Sequence, residues 1–201
     1  MKRFFVIIFI LLVSSVLFAD SYTSNGVSVL NQDKPTGVLS TIEYEHHEIH
    51  AGSSFMVTYF DADVDATETA DLLLVTPNTT KWGHLIWSIE GTLITTVYIY
   101  EGATTSADGT ALSEINQDRN SLTTATIVAT HTPSVTGTGT EIYVKSFGTA
   151  SGGPSTRSGG LSHADQEVIL KQNTKYLIRV DSDTDNNRIT FVLRWYEHTN
   201  K

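Results

Sequence analysis

Apolar residues recur along this chain in short runs, most of them alternating with polar ones and bounded by Gly, Pro, Asn, Asp or Ser. The runs lie at residues 42–50, 53–60, 71–76, 84–89, 93–100, 122–131, 141–147, 168–170, 175–180 and 189–196. Alternation is clearest from Ile189 to Tyr196, where every second side chain can pack inward while its neighbours face out. Helical periodicity is scarce, and the one helix the pattern predicts is a short piece at 111–117. Strands separated by turn signals, with no amphipathic helices to cover a parallel sheet, predict an all-β fold. The expected form is a two-sheet antiparallel sandwich, jelly-roll-like, over residues 42–201.

Two segments depart from this pattern. Lys2-Arg3, the apolar run from Phe4 to Val13 and the small residues leading to Ala19 have the order of a secretory signal peptide over residues 1–19, with an uncleaved anchor as the alternative. The run is broken by Ser14-Ser15, short of the roughly 20 apolar residues that span a bilayer. Residues 20–41 are polar with small apolar groups and read as an N-terminal arm able to add a strand to a neighbour's sheet edge. The Gly-rich stretch 149–160 reads as a long flexible loop.

Composition sharpens the picture. Thr is the commonest residue and β-branched and aromatic types supply much of the apolar content, as strands require. The net charge of −9 becomes more negative if Lys2 and Arg3 are removed, and no basic cluster interrupts it, so nucleic acid is excluded as a partner. The absence of cysteine removes thiol chemistry and Cys-based zinc sites.

Candidate chemistry is thin. In an extended segment His46, Glu48 and His50 would share one face and could bind zinc, but i, i+2 positions rarely supply three ligands to one ion, so a solvent-exposed or interface strand is the plainer reading, and the spacing differs from the helical His-Glu-x-x-His of metalloproteases. Asp61, Asp63 and Asp65, and again Asp181, Asp183 and Asp185, alternate as calcium ligands do at the start of a loop. The sixth positions are Ala66 and Asn186 where that loop needs Gly, and the twelfth are Leu72 and Val192 where it needs Glu. The plain alternative is an acidic turn, with 175–196 forming a hairpin around Asn186-Asn187. Trp82, Trp87, Trp195, Tyr98, Tyr100 and Tyr196 supply rings for a sugar-stacking platform or for the core, and Trp82, in a turn-like setting, is expected to be exposed. No Gly-x-Ser-x-Gly elbow, phosphate loop or dinucleotide fingerprint occurs, and no catalytic residue, cofactor or metal is expected.

A longer pattern runs through Tyr98-Ile99-Tyr100-Glu101-Gly102, Ser106-Ala107-Asp108-Gly109-Thr110 and Asn116-Gln117-Asp118-Arg119-Asn120-Ser121. It continues in His131-Thr132-Pro133-Ser134-Val135-Thr136-Gly137, Arg157-Ser158-Gly159, Thr174-Lys175-Tyr176-Leu177 and Trp195-Tyr196-Glu197. Together with Glu48-Ile49-His50-Ala51-Gly52 upstream, it resembles a family of small β-rich, virion-associated proteins of tailed bacteriophages. The resemblance implies a structural role, decorating a capsid or building a fibre, and no enzyme activity. The leader lies outside that pattern and adds an extracellular surface as a second setting. The expected function is therefore a non-enzymatic structural subunit that forms homo-oligomers and meets capsid or surface-assembly proteins. The alternative is a secreted carbohydrate-binding, lectin-like module with a glycan as partner.

Overall fold

A computed structural model describes residues 23–24, 27–28, 44–149, 161–162 and 167–199. The expected leader, most of the expected arm and nearly all of the Gly-rich stretch lie outside these residues. By its contacts the chain divides into Met1–Glu43 and Tyr44–Lys201. In the first unit β1 (Thr23–Ser24) pairs antiparallel with β2 (Val27–Ser28).

The second unit begins with helix α1 (Tyr44–His50) and continues through β3 (Ser54–Val64), β4 (Thr69–Val75), β5 (Lys81–Gly91) and β6 (Thr95–Glu101). Short strands follow: β7 (Thr104–Ala107), β8 (Thr110–Ala111), β9 (Ile115–Asn116), β10 (Val128–His131) and β11 (Ser134–Gly137). Then come β12 (Thr140–Phe147), β13 (Leu161–Ser162), β14 (Val168–Leu170), β15 (Lys175–Ser182) and β16 (Asn187–Thr199).

These strands form the expected all-β sandwich of two antiparallel sheets. One sheet runs β13-β5-β16-β3-β9, with β14 also pairing β5. The other runs β12-β6-β15-β4-β10-β8, and a separate ribbon is made by β7 and β11. Between the sheets lie Phe55 and Val57 from β3, Leu72 and Leu74 from β4, and Leu85, Trp87 and Ile89 from β5. Val97 and Ile99 from β6, Tyr176, Ile178 and Val180 from β15, and Ile189, Phe191, Leu193 and Trp195 from β16 belong to the same core. Each set holds alternate residues, so the period of two in the sequence is the period of the buried face. At about 1.5–3 kcal/mol per large apolar side chain removed from water, this layer is the main stabilising term.

Four local expectations are corrected. Residues 44–50 are helical where a strand was expected. The helix ends in a Schellman motif: Gly52 N–H donates to Ile49 O (3.0 Å) and Ser53 N–H to Glu48 O (3.0 Å), with Gly52 at φ +69°. Residues 111–117 are no helix, because Thr110–Ala111 pairs with β10 and Ile115–Asn116 with β3. The 122–131 run is extended only from Val128 onward. Finally, β15 and β16 do not form a hairpin: the turn between them crosses from one sheet to the other. Asn186 has the expected left-handed backbone there, φ +59°. The link is pinned by Asn187, fully buried, whose Oδ1 accepts from Thr92 N–H and Leu93 N–H (3.0 Å each) and whose Nδ2 donates to Thr95 Oγ1 (3.0 Å) and Ser182 Oγ (3.1 Å).

Candidate functional site

Three regions gather the side chains singled out in the sequence. The first is the outer face of the β6–β15–β4 sheet. Tyr98 and Tyr100, two residues apart on β6, point the same way and stack with ring centroids 5.7 Å apart and planes 13° from parallel. Beside them Arg179 on β15 grips Asp71 on β4 in a two-pronged ion pair, Nε to Oδ1 at 2.8 Å and Nη2 to Oδ2 at 2.6 Å. Tyr100 also packs over Leu73, Leu177 and Ala103, a small apolar cluster that includes Val135 of the ribbon. Burial, then the carboxylates of Asp181 and Glu141, pushes the Tyr98 hydroxyl above its usual range, so it stays a neutral donor and acceptor.

This face runs out to the sheet edge at β12. Val144 stands directly opposite Tyr98 in the ladder and is 50% exposed, and Ile142 is 42% exposed. A bulge between Glu141 and Tyr143 interrupts the pairing at this edge. Tyr143 turns inward and meets Trp87 edge-on, with centroids 5.3 Å apart. The result is an apolar and aromatic strip on an edge strand.

The second region joins the two acidic runs, which the sequence keeps more than a hundred residues apart. Asn186 N–H donates to Asp65 Oδ1 (3.0 Å) and Ala66 N–H to Asp185 Oδ1 (2.9 Å), so each run caps the other's turn. Beside this link a cavity of about 260 Å³ is lined by Ala66, Thr67, Glu68, Thr69, Asp181, Ser182 and Asp183. Asp181 Oδ1 is shielded from solvent without a hydrogen-bond partner, and burial raises its pKa, against the opposing pull of Arg179. Asp65 and Asp185 thus serve as acceptors for the two turns, and among the described residues no group of three or more His, Cys, Asp or Glu side chains is placed to hold a metal ion.

The third region lies on the outer face of the other sheet. His84 on β5 and Tyr196 on β16 are directly opposite in the ladder and stack with centroids 4.5 Å apart. His84 Nδ1–H donates to the Glu167 carboxylate, which also accepts from Tyr196 O–H (2.5 Å). His198, two residues along β16, brings its Nε2 to 2.7 Å from that of His84. Trp82, at 36% exposure, and Ile169, at 49%, flank the group through the pairs Trp82–His198 and Ile169–His84.

Of the expected rings, Trp82 is exposed as predicted, Tyr98 and Tyr100 are half-buried on an outer face, and Trp87, Trp195 and Tyr196 are buried. The His46–Glu48–His50 set is split by the helix. His46 and His50 sit one turn apart with their Nε2 atoms at 2.9 Å, while Glu48 is buried and accepts a bond from the Ser53 hydroxyl. Sequence reasoning missed the His84–His198–Glu167 group, because its members belong to three separate segments and no spacing connects them. A comparison with family models, curated proteins and solved structures finds no match to this chain.

Proposed function

We propose that this protein is a non-enzymatic structural subunit that acts by associating with copies of itself on a virion or extracellular surface. The observation that carries the proposal is the strip Ile142–Val144 on the edge strand β12, contiguous with Tyr98 across the ladder. Exposed apolar and tyrosine side chains on one patch are the material of protein interfaces. The bulge at Glu141–Tyr143 and the charge of Lys145 oppose continuation of the ladder into a neighbour, so the contact is packing of side-chain faces rather than strand addition.

The winding supports the same reading. In chain order β3, β4, β5 and β6 alternate between the sheets, with lateral orders β3-β16-β5-β14 and β4-β15-β6-β12, and this order supports reading the sandwich as a jelly roll, a form shared by capsid and lectin domains. Light scattering on the full chain tests the proposal. The expected result is an assembly that Ile142→Asp with Val144→Asp dissociates without lowering the Tm. A wild-type monomer at high concentration, or an assembly indifferent to both substitutions, overturns it.

One observation favours a second reading, a carbohydrate-binding module. The parallel Tyr98 and Tyr100 rings beside the Arg179–Asp71 fork offer stacking and paired polar contacts to a sugar. A glycan array decides it: a hit lost in Tyr98→Ala supports this module, and a blank array removes it.

A further inference from the structure

Both histidines of the β5–β16 pair have their Nδ1 nitrogens committed. That of His84 meets the Glu167 carboxylate and that of His198 meets the Thr199 carbonyl at 3.2 Å. A carbonyl and an ionised carboxylate only accept, so each Nδ1 carries a proton. In the neutral rings both Nε2 lone pairs then face each other across 2.7 Å. Two acceptors at that distance repel unless a cation lies between them.

We propose that His84 Nε2 and His198 Nε2 form a binding site for a divalent transition-metal ion of the zinc or copper class. Imidazole nitrogen is the right donor for these ions. Each ring is already held as a metal ligand usually is, its other nitrogen donating to a carboxylate or a backbone carbonyl. Tyr196 O–H holds the Glu167 carboxylate in turn (2.5 Å), so the outer anchor of His84 is itself anchored.

The ring geometry favours a metal over a shared proton. The centroids are 4.5 Å apart with planes at 34°, closer than the about 5 Å of two imidazoles joined in line by an N–H···N bond. The rings therefore meet at an angle, as in a bent nitrogen–metal–nitrogen unit. Metal–nitrogen bonds of about 2.0–2.1 Å in a tetrahedral set put the nitrogens about 3.3 Å apart. A small rotation of the half-buried His198 side chain reaches that separation while His84 stays in place.

Calorimetry with Zn²⁺ and electron paramagnetic resonance with Cu²⁺, on the untagged full chain, test the site. The expected result is a saturable equivalent per chain, with nitrogen coupling in the copper spectrum. It weakens at least tenfold in His198→Asn and about 10–100-fold in Glu167→Gln. The exposed helical pair His46 and His50 is the control, and His46→Ala with His50→Ala leaves this equivalent in place. Absence of saturable binding at millimolar Zn²⁺, binding unchanged in His198→Asn, or binding lost only with the helical pair overturns the proposal. Because His198→Asn and Glu167→Gln change half-buried or surface side chains, the outcome does not depend on a His84 variant that fails to fold.

Discussion

Glu197 shows how a single buried carboxylate can fix a loop. It is 2% exposed, and it accepts hydrogen bonds from Thr126 N–H, Ile127 N–H, the Thr126 hydroxyl and Trp195 Nε1–H, at 2.9, 3.0, 2.5 and 3.0 Å. Removing it strands those donors in the interior, at about 1–3 kcal/mol for each one left unsatisfied. Glu197→Ala is expected to cost about 3–5 kcal/mol by denaturant titration, with Glu197→Gln milder because its amide oxygen still accepts. Asp181 is the opposite case. Burial raises its pKa above the ordinary 3.8, so the fold disfavours the ionised form. Its contribution to stability is fully present below the ordinary pKa and is lost as pH rises through the folded value. Asp181→Asn is therefore expected to raise the Tm at neutral pH, with the gain shrinking as acid protonates the wild-type carboxyl. A gain that persists unchanged at about pH 3, below the ordinary carboxyl range, would contradict this account. Neither role is visible in a string of letters: Glu197 reads as a polar end to an alternating strand, and Asp181 as one acid among several.

At the scale of elements, legibility follows periodicity. The long strands β3, β4, β5, β6, β12, β15 and β16 stand where short apolar or alternating runs put them, and in β4, β5, β6, β15 and β16 the core residues fall at every second position. Helix α1 escapes the pattern because seven residues give under two full turns, and His, Glu and Ile allow either state. Its signature is present in Gly52, which takes the left-handed conformation that stops the helix. Gly52→Ala places a Cβ against the Ser121 side chain and forces a left-handed alanine. It is expected to cost about 1–2 kcal/mol, measured as a shift in denaturation midpoint, whereas a neutral outcome would mean the motif does not set the helix end. The β8–β9 region reads as helical for a related reason. Strands of two residues have no period, and Asn116, buried and donating to Gly52 O (2.9 Å) and Thr123 O (3.0 Å), looks like any loop asparagine.

For the molecule, fold class is readable and assembly of the sites is not. The two-sheet sandwich follows from strands without covering helices. The meeting of Asp65 with Asn186, and of His84 with His198 and Glu167, depends on which strands become neighbours, and alternation alone does not specify a neighbour. The one local pairing that the sequence suggests, β15 with β16, is the one the fold refuses, since those strands take central places in opposite sheets. That position of β16 governs the order in which the structure can arise. It lies between β3 and β5, which have no ladder to each other, yet it is synthesised after every other strand of the sandwich. A growing chain thus holds an incomplete sheet until β16 emerges, and the loop closures then needed span about a hundred residues to β5 and more to β3. Folding is expected to be late, slow and all-or-none, in the manner of proteins dominated by non-local contacts.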